Sequence, residues 1–200
     1  SYVFDIEKVP EVYIETSTAE WNKLLSYFDQ NAYNEEFIQA DFVFVKDQNR
    51  DTLRNVGLRL RGNTSRRRPE GKKGELHNPD NPDWRHSHFS VNLNKFRKGQ
   101  NLAGIQKITL KWFKDDGVYA REVYCYDLFE RFGVWTSPQS GYCRLFLKIK
   151  EDEKWVNYGV YELLEPVDND FIENRKDHFL NMEGNLWKAN WGADLVNADK

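Results

Sequence analysis

Asn55-Val56-Gly57-Leu58-Arg59-Leu60-Arg61 runs into Gly62-Asn63-Thr64-Ser65-Arg66. Successive side chains of a strand point to opposite faces. Val56, Leu58 and Leu60 therefore share one face, and Gly57, Arg59 and Arg61 share the other. The pattern predicts a half-buried strand whose outer face is cationic, ending in a turn-forming segment.

Upstream, Asp41–Val45 is strongly β-prone, and Glu11–Ile14 alternates like a short strand. Between them Ser17 and Glu20 form a capping box. Trp21, Leu24, Leu25 and Phe28 then recur at i, i+3, i+4 and i+7, which predicts an amphipathic helix over 18–29. Downstream, Arg67 to Arg85 carries Arg, Lys, Gly, Pro, Asp and Asn with almost no apolar residue. Such a segment cannot bury enough surface to offset ordering, so a long, exposed and mobile loop is expected over 66–85.

Order returns at 88–94, where Phe89, Val91 and Leu93 alternate with polar residues, and again at 107–112. Tyr119 to Phe132 reads as a helix with Cys125, Leu128, Phe129 and Phe132 on one stripe and Gly133 as its stop. Strands at 142–149 and 156–164 flank a polar turn and make a hairpin. After Pro166 there is a short helical turn at 169–174, then a polar stretch containing Trp187 and Trp191. The sum is an α+β fold: a mostly antiparallel sheet with a packed helix, in which 55–61 and 88–94 are partners.

The formal net charge of −3 gives no general attraction to nucleic acid or to an anionic membrane. The basic run Arg66–Lys73 lacks interleaved aromatics, so it reads as a solvated loop, or a surface attracting an acidic substrate, rather than a nucleic-acid site. No apolar run approaches the roughly 20 residues of a membrane span. Cys125 and Cys143 have no zinc-ligand spacing; a disulfide and two free thiols are both compatible with them. His86 and His88 share a strand face without making a metal motif. The seven Trp serve a core first, with carbohydrate or nucleotide stacking as the alternative.

Five blocks, in order over about residues 55–190, resemble the spore-coat protein H (CotH) family of atypical protein kinases. They are Arg61-Gly62-Asn63-Thr64-Ser65-Arg66; His86 to Leu93; Leu110 with Tyr119-Ala120-Arg121-Glu122; Tyr158-Gly159-Val160-Tyr161-Glu162-Leu163-Leu164-Glu165-Pro166-Val167-Asp168; and Gly184-Asn185-Leu186-Trp187-Lys188. Gly133-Val134 matches the family's helix-ending pair. In place of the family's paired lysines stand His86 and His88, so the motif assigns no lysine to ATP phosphates. The family's acidic Asp-x-Asp block, which supplies metal and catalytic carboxylates, has no counterpart in Asp168, Asp170 or Asp194.

The resemblance implies a fold like the N-lobe of an atypical protein kinase over 1–165, with 166–200 as the truncated start of a C-terminal lobe. It implies ATP with Mg²⁺ or Mn²⁺, and phosphorylation of Ser or Thr in a secreted or coat protein, extracytoplasmic or spore-associated. The 200 residues alone, lacking the acidic block, are expected to be inactive. The expected nucleotide-binding residues are Arg59, Arg61, Asn63, Arg66, Glu122, Glu162, Glu165 and Lys188, with no catalytic and no metal-binding residue in this chain. Arg59 and Arg61 offer guanidinium forks to phosphate, or else are a solvated sheet face. Glu122 is either the partner of a phosphate-binding cation or an exposed helix carboxylate. Glu162 and Glu165 end a strand whose backbone would meet adenine, or simply precede a Pro turn; Lys188 pairs with phosphate or with an acidic residue, or is a surface lysine. A non-catalytic scaffold binding a protein or polysaccharide is the competing reading.

Overall fold

Among the described residues seven strands form, and they close on one another. The computed structural model describes residues 1–179 together with 186 and 187. In chain order it contains β1 (Glu11–Thr16), α1 (Thr18–Gln30), β2 (Ile38–Lys46), β3 (Asn49–Arg61), β4 (His88–Asn92), β5 (Lys107–Lys111), α2 (Arg121–Arg131), β6 (Ser140–Ile149), β7 (Val156–Leu164) and α3 (Asn169–Glu173). The strands are ordered β1-β2-β3-β4-β5-β7-β6 around a closed barrel. Every neighbouring pair is antiparallel except β1 and β6, which run parallel, Glu11 opposite Arg144 and Thr16 opposite Ile149.

This corrects the expected architecture. The protein is a mostly β, closed mixed barrel with a few short helices, and not a helix-packed kinase N-lobe. The expected strand 55–61 does lie beside β4, Leu58 opposite Val91 and Leu60 opposite Phe89. The helix expected at the centre of the packing lies outside the wall. Only Val123 of α2 is buried; of the predicted apolar stripe, Phe129 and Phe132 are 47% and 82% exposed. The barrel has no need of that stripe because its own inward residues fill it. Val12, Ile14, Phe42, Phe44, Leu58, Phe89, Ile108, Leu145, Leu147 and Tyr161 are all buried within one cluster. Inward and outward positions alternate along each strand, as closure requires.

α1 packs as its periodicity predicts, with Trp21, Leu24 and Leu25 buried. Ser17 caps it, accepting from the Glu20 N–H at 3.2 Å. The Glu20 carboxylate, however, turns away to accept the Gln39 N–H at 2.8 Å, tying the helix to β2. Between β2 and β3 the register shifts at Ala40/Phe42, opposite Asn55 at φ 55°. This bulge bends β3 so that it can pass from β2 to β4. Just beyond it, a Cβ on Gly57 would stand 2.8 Å from Lys95 Cβ and from Phe37 Cδ1, so only glycine fits.

The basic loop is likewise not the free segment expected. Arg68 and Glu70 are buried. Arg68 forks onto Asp29 at 2.8 and 3.0 Å. Glu70 accepts from Trp21 Nε1 at 2.8 Å and from the Asn78 N–H at 3.0 Å. His77 Nδ1 lies 2.9 Å from the same carboxylate, and its Nε2 lies 3.1 Å from Asp152 in the β6–β7 turn. The loop orders because its charges are paired inside the structure; composition alone treats them as solvated. Cys143 is buried and Cys125 exposed, both as free thiols, which settles the alternative left open above. No described helix is long and apolar enough to cross a membrane.

The chain divides into two compact units, residues 1–166 and 167–200. In the second, Asp168 caps α3 by accepting from the N–H groups of Asp170 and Phe171. Lys188, Trp191 and Asp194 lie outside the described residues.

His77 faces a carboxylate with each ring nitrogen, which only the imidazolium can satisfy by donating twice. Burial opposes the charge, but the hydrogen bonds to Glu70 and Asp152 outweigh it and raise the pKa above its usual value. The stabilisation is therefore complete below about pH 6.5 and is lost as pH rises through the raised value. Amide exchange over residues 70–78, corrected for intrinsic rates, should accelerate across that interval and show no such step in His77→Phe. Glu70→Ala, which strands Trp21 Nε1 and the imidazolium, should cost about 3 kcal/mol in chemical denaturation.

Candidate functional site

The outward residues of four adjacent strands make a polar strip on one side of the barrel. β3 contributes Arg61, β4 contributes His88, β5 contributes Thr109 and Lys111, and β7 contributes Glu162. Alternation puts Leu60, Phe89, Leu110 and Leu163 inward, so these neighbours must point out. Lys111 stands directly opposite Glu162 across the β5–β7 pair, and Tyr142 of β6 stands opposite Glu162 on its other side. α2 lies over the strip. Its N-terminal amides are held by Asp116, which accepts from Ala120 at 2.8 Å and Arg121 at 2.7 Å. This cap sets Glu122 above Lys111, and the two form an ion pair.

The strip and helix enclose a cleft of about 310 Å³ that opens between the Thr64–Ser65 turn and α2. Lys111, Arg121, Glu122, Glu162 and His88 line it. Arg61 is seated beside it, donating Nη1 to Thr109 Oγ1 at 2.9 Å. His88 is neutral: burial first, then the nearby Lys111 and Arg61 charges, push it down to about 4. Its Nδ1 accepts the Trp112 N–H at 2.9 Å. Glu162 is 1% exposed. Oε1 accepts from Ser140 Oγ at 2.8 Å, whereas Oε2 is buried with no hydrogen-bond partner. Burial, and then the Glu122 charge, push its carboxyl up to about 7. Burial and the same two carboxylates drive Tyr126 up to about 12.

The residues expected to bind nucleotide are not all in one place. Arg61, Glu122 and Glu162 come together at the cleft. Arg66 turns the other way, donating Nε to Gly62 O at 3.0 Å and Nη1 to Asn34 O at 2.9 Å. Arg59 reaches Glu35 at 3.2 Å and covers the Phe37 ring. Asn63 is exposed at the turn, its carbonyl accepting the Arg66 N–H at 3.4 Å. Glu165 accepts from the Gln139 N–H at 3.0 Å beyond the end of β7. At the strand end expected to meet adenine, Leu164 lies opposite Thr109 of β5 on one side and Ser140 of β6 on the other.

Lys111 is the cation that sequence reasoning missed. The positions that correspond to the family's paired lysines are held by His86 and His88. His86 stacks on Trp112 at 5.0 Å. The usable signal was the outward alternation Lys107, Thr109, Lys111 on a strand leading to a helix with Glu122 in its first turn.

Residues 58–200 match the family model described as CotH kinase protein. Comparisons with curated proteins and with solved structures gave no match.

A carboxyl whose pKa is raised on folding binds its proton more tightly in the native state than in the unfolded one. Stability therefore falls as pH rises from the unfolded value, near 4.5, to about 7. Denaturant midpoints between pH 4.5 and 8 should show wild type losing on the order of 1–3 kcal/mol relative to Glu162→Gln. Parallel curves for the two proteins would contradict the assigned burial of an ionisable Glu162.

Proposed function

This chain belongs to the CotH kinase protein family, and from that premise we propose that its cleft binds ATP for transfer of the γ-phosphoryl group to Ser or Thr of a secreted or coat protein. The observation that carries this reading is the Lys111–Glu122 ion pair, set between a strand and a helix beside a Gly-Asn-Thr-Ser turn. Phosphoryl transfer depends on positioned cations at the phosphates, and protein kinases hold the lysine that serves there with a helix glutamate. Lys111 would meet a phosphate oxygen as a point charge, while Arg61 adds a planar fork that suits two oxygens. Thr64 and Ser65 place hydroxyls at the mouth. Arg66 and Arg59 serve this reading indirectly, by holding the turn and the 31–37 segment together.

Kinase reactions use Mg²⁺ or Mn²⁺ to offset the charge on the β- and γ-phosphates. The described cleft residues do not form such a site. Glu122 is engaged by Lys111, and Asp116 by backbone amides. Among the described residues, no group of three or more His, Cys, Asp or Glu is arranged to hold a metal ion. The scaffold reading draws on a different observation, the exposed Tyr124, Phe129 and Phe132 on and beside α2, which suit a protein partner.

The test is radiolabelled ATP with the natural protein containing these residues, in Mg²⁺ or Mn²⁺. Labelling of itself or of a Ser/Thr substrate is expected. Lys111→Met should reduce it by about 100-fold and Arg61→Ala by about 10-fold or more, as removal of charge-stabilising donors does elsewhere. Arg59→Ala should cost much less. No labelling with either metal, from a folded protein, sinks the enzyme reading and leaves the scaffold.

A further inference from the structure

One ammonium faces two carboxylates in this cleft. Lys111 is bonded to Glu122 of α2, yet its direct cross-strand neighbour is Glu162. Directly opposed side chains on one face of a sheet stand about 5 Å apart at Cβ, within easy reach of a lysine stem. The two carboxylates differ in how well they tolerate being left alone. The Glu122 side chain is 35% exposed and can take water in place of Lys111, whose own side chain is 32% exposed and free to swing. Glu162 is 1% exposed and has an oxygen with no partner. Beyond the Ser140 hydroxyl on its other oxygen, an ionised carboxylate so placed has only a nearby cation to compensate its charge.

Of the cations lining the cleft with Glu162, which also include Lys114 and Arg121, Lys111 alone stands directly opposite it on the sheet. Arg61 of β3 is seated on Thr109 Oγ1. His88 of β4 is neutral and already accepts the Trp112 N–H. β6 presents the hydroxyl of Ser140, which bonds the other oxygen, and Tyr142, whose hydroxyl donates to Tyr119 O at 2.8 Å. α2 presents Glu122 and Tyr126, which is neutral and leans on Glu122. Resting on the reading of the cleft as a nucleotide site, we propose that Glu162 is a proton-sensing positioning residue for Lys111. When Glu162 is neutral, Lys111 stays on Glu122 and faces the cleft. When Glu162 gives its proton to solvent, it draws the ammonium down against the barrel wall, away from an incoming phosphate.

The switch falls in the neutral range, since the Glu162 carboxyl is held up to about 7. In protein labelled with ¹³C-lysine, the Lys111 Cε resonance, assigned with Lys111→Arg, should move with a midpoint near neutrality between pH 5.5 and 8.5. Glu162→Gln should abolish the step. Ser140→Ala, which removes a hydrogen bond favouring the ionised form, should shift the midpoint upward, and it keeps the test decisive if Glu162→Gln does not fold. ATP affinity, measured by calorimetry on the natural protein, should fall about tenfold more from pH 6 to pH 8.5 in wild type than in Glu162→Gln, the size of one lost charged contact. A flat Lys111 signal in wild type, a step that survives in Glu162→Gln, or an unmoved or lowered midpoint in Ser140→Ala overturns the proposal. Equal pH profiles for ATP overturn it while leaving nucleotide binding intact. A Lys111 step with no ATP binding at any pH upholds the lysine switch and sinks only the nucleotide reading.

Discussion

The parallel ladder between Glu11–Thr16 and Arg144–Ile149 joins segments more than 130 residues apart and leaves no unpaired edge in the barrel. Hairpin pairs such as β2–β3 and β6–β7 can form from local chain alone. The β1–β6 contact must overcome the entropy of closing a very long loop, which only a shared core can supply. Val12 and Ile14 from one strand and Leu145 and Leu147 from the other enter the same buried cluster, so closure and core formation are one event. Once the wall is closed, every strand has a defined inside and outside. The outward residues are then placed relative to one another with the rigidity of a sheet.

That rigidity is what the cleft draws on. Lys111, Glu162 and Tyr142 are neighbours because β5, β7 and β6 are neighbours, and β7 lies between β5 and β6 although it follows both in sequence. The strip would remain open wall without α2, whose entry is set by Asp116 and whose first turn brings Glu122 over the lysine. A helix with little buried surface can hold this place because polar contacts at its N-terminal end, rather than an apolar stripe, fix it. The same cover excludes water from Glu162, and exclusion of water is the largest cause of its raised pKa.

A second polar assembly sits apart from the cleft and shows the same physics with a different outcome. Glu70, His77 and Asp152, with Trp21 Nε1, form a paired set in which the buried charges have partners. Glu162 Oε2 has none. A satisfied buried network anchors a loop, whereas an unsatisfied one leaves an acceptor ready for a cation.

Sequence periodicity alone placed the strands and α1, because a half-buried strand or helix must repeat its apolar residues at the period of its backbone. The alternation around Val56, Leu58 and Leu60 and the Trp21/Leu24/Leu25/Phe28 spacing carry that information locally. The family was legible in ordered blocks such as Arg61–Arg66 and Tyr158–Asp168. Closure of the barrel was not, because the partner of β1 is chosen across the whole chain and no local pattern names it. The exposure of α2 was missed for the same reason: Phe129 and Phe132 look like a buried face until the sheet fills its own interior. Charge was the least legible feature. Arg66, Arg68, His77 and Lys111 look alike as surface groups in sequence, and only the tertiary structure decided which are bonded to backbone, which are buried with a carboxylate and which face the cleft. Burial and partner geometry set the energy of a charge, and both belong to residues distant in the chain.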